Sequence, residues 1–205
     1  MENYGELLFI NDVRDLQDQA ETGEKYASFY KGRTKETLDQ ADINFISERE
    51  SFYIASVSST GWPYVQHRGG PKGFLKVVAP NRLGFADYQG NKQFITMGHA
   101  AHDDRVALFL MDYEQKARLK MLGRLKMQHV EDAEPELIKR LETPGQGKIE
   151  RIATIDIVAT DWNCPKYIPQ LIDIKKAQHL VNEQLRLLTE ENEQLKKQLE
   201  QSRKG

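Results

Sequence analysis

The stretch Ser51-Phe52-Tyr53-Ile54-Ala55-Ser56-Val57-Ser58, followed by Ser59-Thr60-Gly61 and then Trp62-Pro63-Tyr64-Val65-Gln66, decides the fold class. Aromatic and β-branched residues dominate the first run, which reads as a strand because such side chains pack well on a pleated surface. Ser59 to Gly61 supplies a turn, and Trp62 to Gln66 is the returning arm of a hairpin. Working outward toward the C-terminus, five further segments read as strands: Gly73 to Val78, Arg82 to Asp87, Val106 to Tyr113, Ala117 to Val130 and Ile149 to Thr160. The polar segment Tyr88 to Arg105 is long enough for one helix, and Glu134 to Glu142 reads as another, stopped by Pro144-Gly145. Six or so strands with few long helices predict a mainly β, α+β chain built on a small antiparallel barrel, in preference to a parallel α/β sheet.

On the N-terminal side, Asp12 to Thr22 and Arg33 to Glu50 are rich in helix formers, with Gly23 and Gly32 as interruptions. Residues 1–50 are therefore expected to form a helical segment packing on a barrel domain of residues 51–170. Residues 171–205 follow as a C-terminal helix. From Ile174 onward its apolar residues recur at steps of four and three, through Val181, Leu185, Leu188, Leu195 and Leu199, and Asn192 falls in the same seam. A narrow seam carrying one asparagine is the pattern of a two-stranded coiled coil, and the competing reading is a helix packing its stripe on its own domain. About three heptads are marginal alone, so the tail is expected to reinforce an existing dimer.

The 205 residues carry a formal net charge of -2, with no basic excess to suit nucleic acid. No run approaches the roughly eighteen apolar residues of a membrane span, and the start lacks the basic and apolar regions of a secretory signal. The single cysteine, Cys164, excludes an internal disulfide. These features suggest a cytoplasmic protein without nucleic-acid or membrane partners. Cys164 itself reads as a small apolar residue, with nothing near it in sequence to make it a nucleophile.

Three stretches resemble the flavin-binding split-barrel family typified by pyridoxamine 5′-phosphate oxidase. They are GWPYVQHRGGPKGFL (61–75), LGFADYQGNKQ (83–93), and DRVALFLMD (104–112) running on to RLKMLG (118–123). A fourth, DWNCPK (161–166), is similar to a short signature near the C-terminus of oxidase-related members. The resemblance covers roughly Asp42 to Pro169 and is carried by the order and spacing of these pieces. It implies a six-stranded antiparallel split barrel, a homodimer, and FMN held between the two subunits. It further implies oxidoreductase activity with a small-molecule substrate or NAD(P)H. The true oxidase's C-terminal segment, whose arginine and histidine hold the substrate phosphate, has no counterpart here, so the resemblance is to the oxidase-related members. Barrels of this general type also serve as non-catalytic cofactor-binding or sensing modules for flavin, haem or a deazaflavin. A haem binder would take a histidine such as His67 or His129 as ligand.

FMN presents a dianionic phosphate, a hydroxylated chain and a flat ring, so a site needs fixed cations and N–H donors at one end and an apolar slab at the other. Arg68, with Gly69 and Gly70 after it, offers a planar fork donor beside backbone that can approach a ligand closely. Gln66 and His67 would add polar contacts to the ribityl chain or ring edge. Read without the resemblance, Arg68 is rather a surface strand arginine and the glycines a bulge. Tyr88, Gly90, Asn91, Lys92 and Gln93 leave a strand and open a helix, a geometry that aims N–H groups and positive dipole at phosphate. Thr96 adds a hydroxyl there, and the competing reading is an ordinary loop. Relatives often carry arginine at the position of Gln93, which shifts weight to Lys92 and Arg68. Arg118 and Lys120 alternate along one strand face, reaching the same anion or standing in solvent. Trp162 covers the flavin ring or belongs to the core. His99, His102, Asp103 and Asp104 lie close together, but no further ligand cluster accompanies them, so no metal is expected. Neither a P-loop, a dinucleotide fingerprint nor a G-x-S-x-G elbow is present.

Overall fold

Phe52, Ile54 and Ser56 are buried while Tyr53 and Val57 are exposed, and this alternation makes Ser51–Val57 the first strand, β1. A computed structural model of the chain describes residues 1–162 and 165–203, so Asn163 and Cys164 of the fourth motif lie outside the described residues. Two units are resolved, one of Met1–Asp112 with Ala117–Lys166 and one of Tyr113–Lys116 with Tyr167–Gly205.

The larger unit is built on one antiparallel sheet. Its other strands are β2 (Pro63–Gly69), β3 (Lys76–Ala79), β4 (Arg82–Tyr88), β5 (Arg105–Asp112), β6 (Ala117–His129) and β7 (Ile149–Trp162). Their order across the sheet is β2-β1-β5-β6-β7-β4-β3. This is seven strands, one more than the six expected. All seven segments read as strands form one, and the shortest is β3, a four-residue edge strand paired only with β4 that takes the end of the expected Gly73 to Val78. The returning arm of the first hairpin also runs on to Gly69, because Arg68 and Gly69 pair with Phe52 and Ser51.

The sheet curls around its own core. Phe52 of β1 meets Phe85 of β4 edge to face, with ring centroids 5.6 Å apart, although three strands separate β1 from β4 in the order. Only a sheet rolled toward a barrel brings those side chains together. Leu83, Leu108, Leu110, Leu119, Met121 and Ile155 fill the inside. Along the way β6 and β7 slip register between Leu122 and Gly123, an irregularity of the kind that bends a strand. A Cβ at Gly123 would lie 2.6 Å from Ile155 Cγ2 and 2.9 Å from the Asp156 carbonyl oxygen, so glycine is required there.

Short helices surround the sheet: α1 (Tyr4–Leu8), α2 (Asn11–Gln19), α3 (Gly23–Tyr30), α4 (Gln40–Ser47), α5 (Ile95–His102) and α6 (Pro135–Leu141). The N-terminal expectation is corrected in two places. Gly23 opens α3 where an interruption was expected, and helix fills only the end of Arg33 to Glu50. The cause is a capping box, in which Asp39 accepts from the Asp42 N–H and Asp42 accepts from that of Asp39, setting the start of α4 at Gln40. Asp42 is itself fully buried and receives Lys35 Nζ at 2.8 Å and Trp162 Nε1 at 2.8 Å.

In the smaller unit a single helix, α7 (Ile174–Ser202), starts at Asp173, whose carboxylate accepts from the N–H groups of Lys175 and Lys176. Lys176 pairs with Glu114 and Gln170 Nε2 donates to the Glu114 carbonyl at 3.1 Å, fixing the first turn. None of the described helices is long and apolar enough to cross a membrane.

Candidate functional site

On β2 the side chains of Tyr64, Gln66 and Arg68 share one face, and His67 and Gly69 share the other, as the two-residue period requires. The first face lines a cleft of about 220 Å³. Its far wall is the end of β4 (Asp87 and Tyr88), the connection Gly90 to Gln93, and the first turn of α5, with Met127 and Arg151 closing the floor. The cleft therefore collects three cations, Arg68, Lys92 and Arg151, against one carboxylate, Asp87.

Asp87 organises them. Its Oδ1 accepts from an Arg68 terminal nitrogen at 2.6 Å and its Oδ2 accepts from Arg151 Nε at 2.7 Å. Both oxygens of a buried carboxylate are thus used to hold two guanidinium groups at set positions. Arg151 also reaches Glu150 at 3.0 Å and lies over the Phe94 ring. Arg68 lies over Phe85, and its Nε is buried without a hydrogen-bond partner. A buried donor without an acceptor costs about 1–3 kcal/mol.

The far wall adds further donors. Phe94 stands at the N-cap of α5 and no side chain caps the first turn, so its leading N–H groups are left for another acceptor. Lys92 and Phe94 both adopt left-handed backbone, at φ 58° and 56°, a conformation costing about 1–2 kcal/mol for a residue with a Cβ. Two such residues at one helix entry match the strain that collects at ligand clamps. Thr96 Oγ1 donates to Gln66 Oε1 at 2.7 Å, tying α5 to β2. His99 meets Ser56 Oγ at 3.0 Å and packs edge-on to Tyr64, fixing the same helix to β1 and β2. Tyr88 exposes its ring to the cleft while its hydroxyl is spent on Thr143, donating to the carbonyl and accepting from the N–H.

Of the residues expected from the sequence, Gln66, Arg68, Tyr88, Gly90, Asn91, Lys92 and Gln93 come together around this cleft. His67, Gly69, Arg118, Lys120 and Trp162 do not line it. His67, Tyr53, Phe109 and Lys120 form one cross-strand row over β2, β1, β5 and β6, on the opposite face of the sheet from Arg68. Lys120 is paired with the buried Asp161 at 2.6 Å. Arg118 lies over Phe109 in the neighbouring row. Trp162 packs against Phe45 and donates to Asp42. The histidine and aspartate cluster is dispersed among other partners: Asp103 binds Arg105, which holds its carboxyl well below the usual carboxylate range, and Asp104 pairs with Arg124. Asp87 and Arg151 are the charged members of the site not foreseen. Their signal is an arginine and an aspartate on strand faces that are otherwise buried and apolar.

No protein-family model matches the chain, and no curated protein matches it. Among solved structures it is similar to HupZ of Group A Streptococcus, at 10% identity over 66% of this chain and 99% of that one, with a TM-score of 0.49. It is likewise similar to a putative pyridoxamine 5′-phosphate oxidase from Lactobacillus delbrueckii, at 16% identity over 63% and 97% of the two chains and a TM-score of 0.48. A third is an FMN-binding protein from Syntrophomonas wolfei, at 12% identity over 71% and 97% and a TM-score of 0.46. Likeness at this level carries no inference about ligand or chemistry.

Proposed function

We propose that the chain is a flavoprotein of the oxidase-related split-barrel kind, which takes the phosphate of FMN in the cleft between β2 and α5. The observation that carries this reading is the unpartnered, buried Arg68 Nε beside Lys92 and the uncapped start of α5. That donor set suits a phosphate dianion, through a guanidinium fork, a point cation and backbone N–H groups. When bound, FMN would supply hydride or electron transfer, and the protein would supply binding, orientation and exclusion of water. Gln66, Thr96 and the Asn91 amide then face the hydroxylated chain of the ligand.

The size of the cleft bears on the assembly. Sites that bury a drug-sized ligand span about 300–1,000 Å³, and 220 Å³ falls short of that. The isoalloxazine ring would lie beyond the cleft and need a second surface. The outer face of β2, β1, β5 and β6 suits that role, since Tyr53, Val57 and Val65 are exposed on it, with His67 and Lys120 in the row of Tyr53 and Arg118 in the next. Pairing two copies through this face would cover its apolar side chains and bring His67 or Lys120 of one copy toward the cleft of the other. A homodimer with FMN at its interface thus accounts for both groups of residues.

The test is absorption spectroscopy of the purified protein before and after incubation with FMN and desalting, with titrations of FMN and riboflavin. Oxidised-flavin bands should survive desalting. Arg68→Ala should weaken FMN binding about ten- to a hundredfold, matching the loss of one charge-assisted interaction of about 1.5–3 kcal/mol, and should leave riboflavin binding nearly unchanged. Equal affinity of the variant and the parent for FMN would overturn the phosphate assignment. A Soret band in place of flavin bands would transfer the protein to haem, and bound flavin without turnover by NADH or NADPH would make it a sensing module.

A further inference from the structure

We propose that α7 pairs with the α7 of a second copy as a parallel, in-register, two-stranded coiled coil. The helix has 29 residues, about 43 Å at 1.5 Å rise per residue, and buries none of them. Its seam residues Val181, Leu185, Leu188, Leu195 and Leu199 are 57%, 56%, 45%, 55% and 55% exposed. With Leu185 at heptad position a, Asn192 and Leu199 also fall at a, and Val181, Leu188 and Leu195 fall at d. Arg186 and Glu190 close an ion pair at 2.6 Å at positions b and f, on the side away from the seam.

Three features select the occupant and its direction. Leucine at d with asparagine at a is the combination that holds two strands in parallel, because the two asparagine amides satisfy each other across the seam. An antiparallel pair would set Asn192 against a d-position leucine and strand a buried amide. Glu191 occupies g and Lys196 the following e, so a parallel pair places Glu191 opposite the partner's Lys196, twice by symmetry. The partner that meets all three conditions is a second copy of this chain. The pairing is independent of the flavin reading, and a dimer through the barrel would assist it only by raising the effective concentration.

The experiment uses full-length chain in a Cys164→Ser background, with Leu188→Cys, Leu195→Cys or Glu190→Cys added singly. Each variant is oxidised at low micromolar concentration and run on a non-reducing gel. A parallel in-register pair sets every d residue against its own copy, so Leu188→Cys and Leu195→Cys should both form disulfide-linked dimer as the major species. Glu190→Cys, at f, should stay monomeric on the gel. The two d positions lie seven residues apart, and an antiparallel pair can set at most one of them against itself. Cross-linking at one position only, at neither, or equally at Glu190→Cys would each overturn the proposal. FMN retention, read on the same samples, reports the cleft separately.

Discussion

Replacing Asp87 with alanine leaves Arg68 and Arg151 facing one another without the carboxylate that joins them, at 2.6 Å and 2.7 Å. The side chain of Asp87 is 10% exposed, those of Arg68 and Arg151 20% and 9%. Removing one partner of a buried ion pair costs about 3–5 kcal/mol, chiefly because an uncompensated charge remains in a poorly solvated place. Two features put this case at the low end: Arg151 keeps Glu150 at 3.0 Å, and Arg68 retains some access to water. The expected loss is about 3 kcal/mol. For a chain of this size about 2–4 °C of Tm accompanies each kcal/mol, so Tm should fall by roughly 6–12 °C. Urea unfolding followed by far-ultraviolet circular dichroism gives the free energy directly, with an unchanged m-value as the sign that folding stays two-state. Inorganic phosphate should recover part of the loss in Asp87→Ala, since an anion can take the position of the carboxylate. A change within about half a kcal/mol, as at an ordinary surface site, would refute the argument that Asp87 is the keystone of the cleft.

Two further outcomes test the barrel and the N-terminal helices. Gly123→Ala should cost about 1–3 kcal/mol, as overpacking does, because the new methyl would meet the Asp156 carbonyl at 2.9 Å and the backbone there cannot turn aside. An unchanged Tm would mean that β6 and β7 separate more at their bulge than described. Tyr30 donates to Asp161 Oδ1 at 3.1 Å, and burial followed by the Asp161 charge pushes its pKa well above the usual tyrosine value. The unfolded chain's tyrosines ionise near pH 10 while Tyr30 in the fold stays protonated, so its contribution is full below about pH 10 and is lost as pH rises further. Tyr30→Phe should flatten the fall in unfolding free energy between about pH 10 and 12, with Tyr4, raised by the same causes, keeping a residual slope. Identical slopes in the two proteins would place the alkaline sensitivity elsewhere.

Local pattern reaches as far as local physics does. The β1–β2 hairpin is legible because Phe52 and Ile54 alternate with Tyr53 and Ala55 and a glycine turn follows. The end of β2 is not, since Arg68 and Gly69 are strand only through their pairing with Phe52 and Ser51. The opening of α5 is readable from Gly90-Asn91 leaving a strand, and Lys92 and Gln93 of that segment line the cleft. The Asp87–Arg151 pair is illegible because 64 residues separate the two, and only the antiparallel register of β4 and β7 sets them opposite one another. Trp162 has its partner Asp42 at a separation of 120 residues, beyond any periodicity. The short N-terminal helices were blurred for a related reason, as α4 starts where a buried capping aspartate and Lys35 meet, which composition does not reveal.

The period of a strand carries one consequence further. Gln66, His67, Arg68 and Gly69 are consecutive, yet β2 sends the first and third into the cleft and the second and fourth to the outer face. No single barrel can turn all four toward one ligand. If all four serve one cofactor, the outer pair must act on the cofactor of another copy, which is the arrangement a two-fold interface over β1, β2, β5 and β6 would create. If only the cleft pair serves, Tyr53, Val57 and Val65 remain exposed with no role. The separation of neighbouring residues onto two faces rests on backbone geometry, and under the proposed function a shared site is the arrangement in which both faces serve.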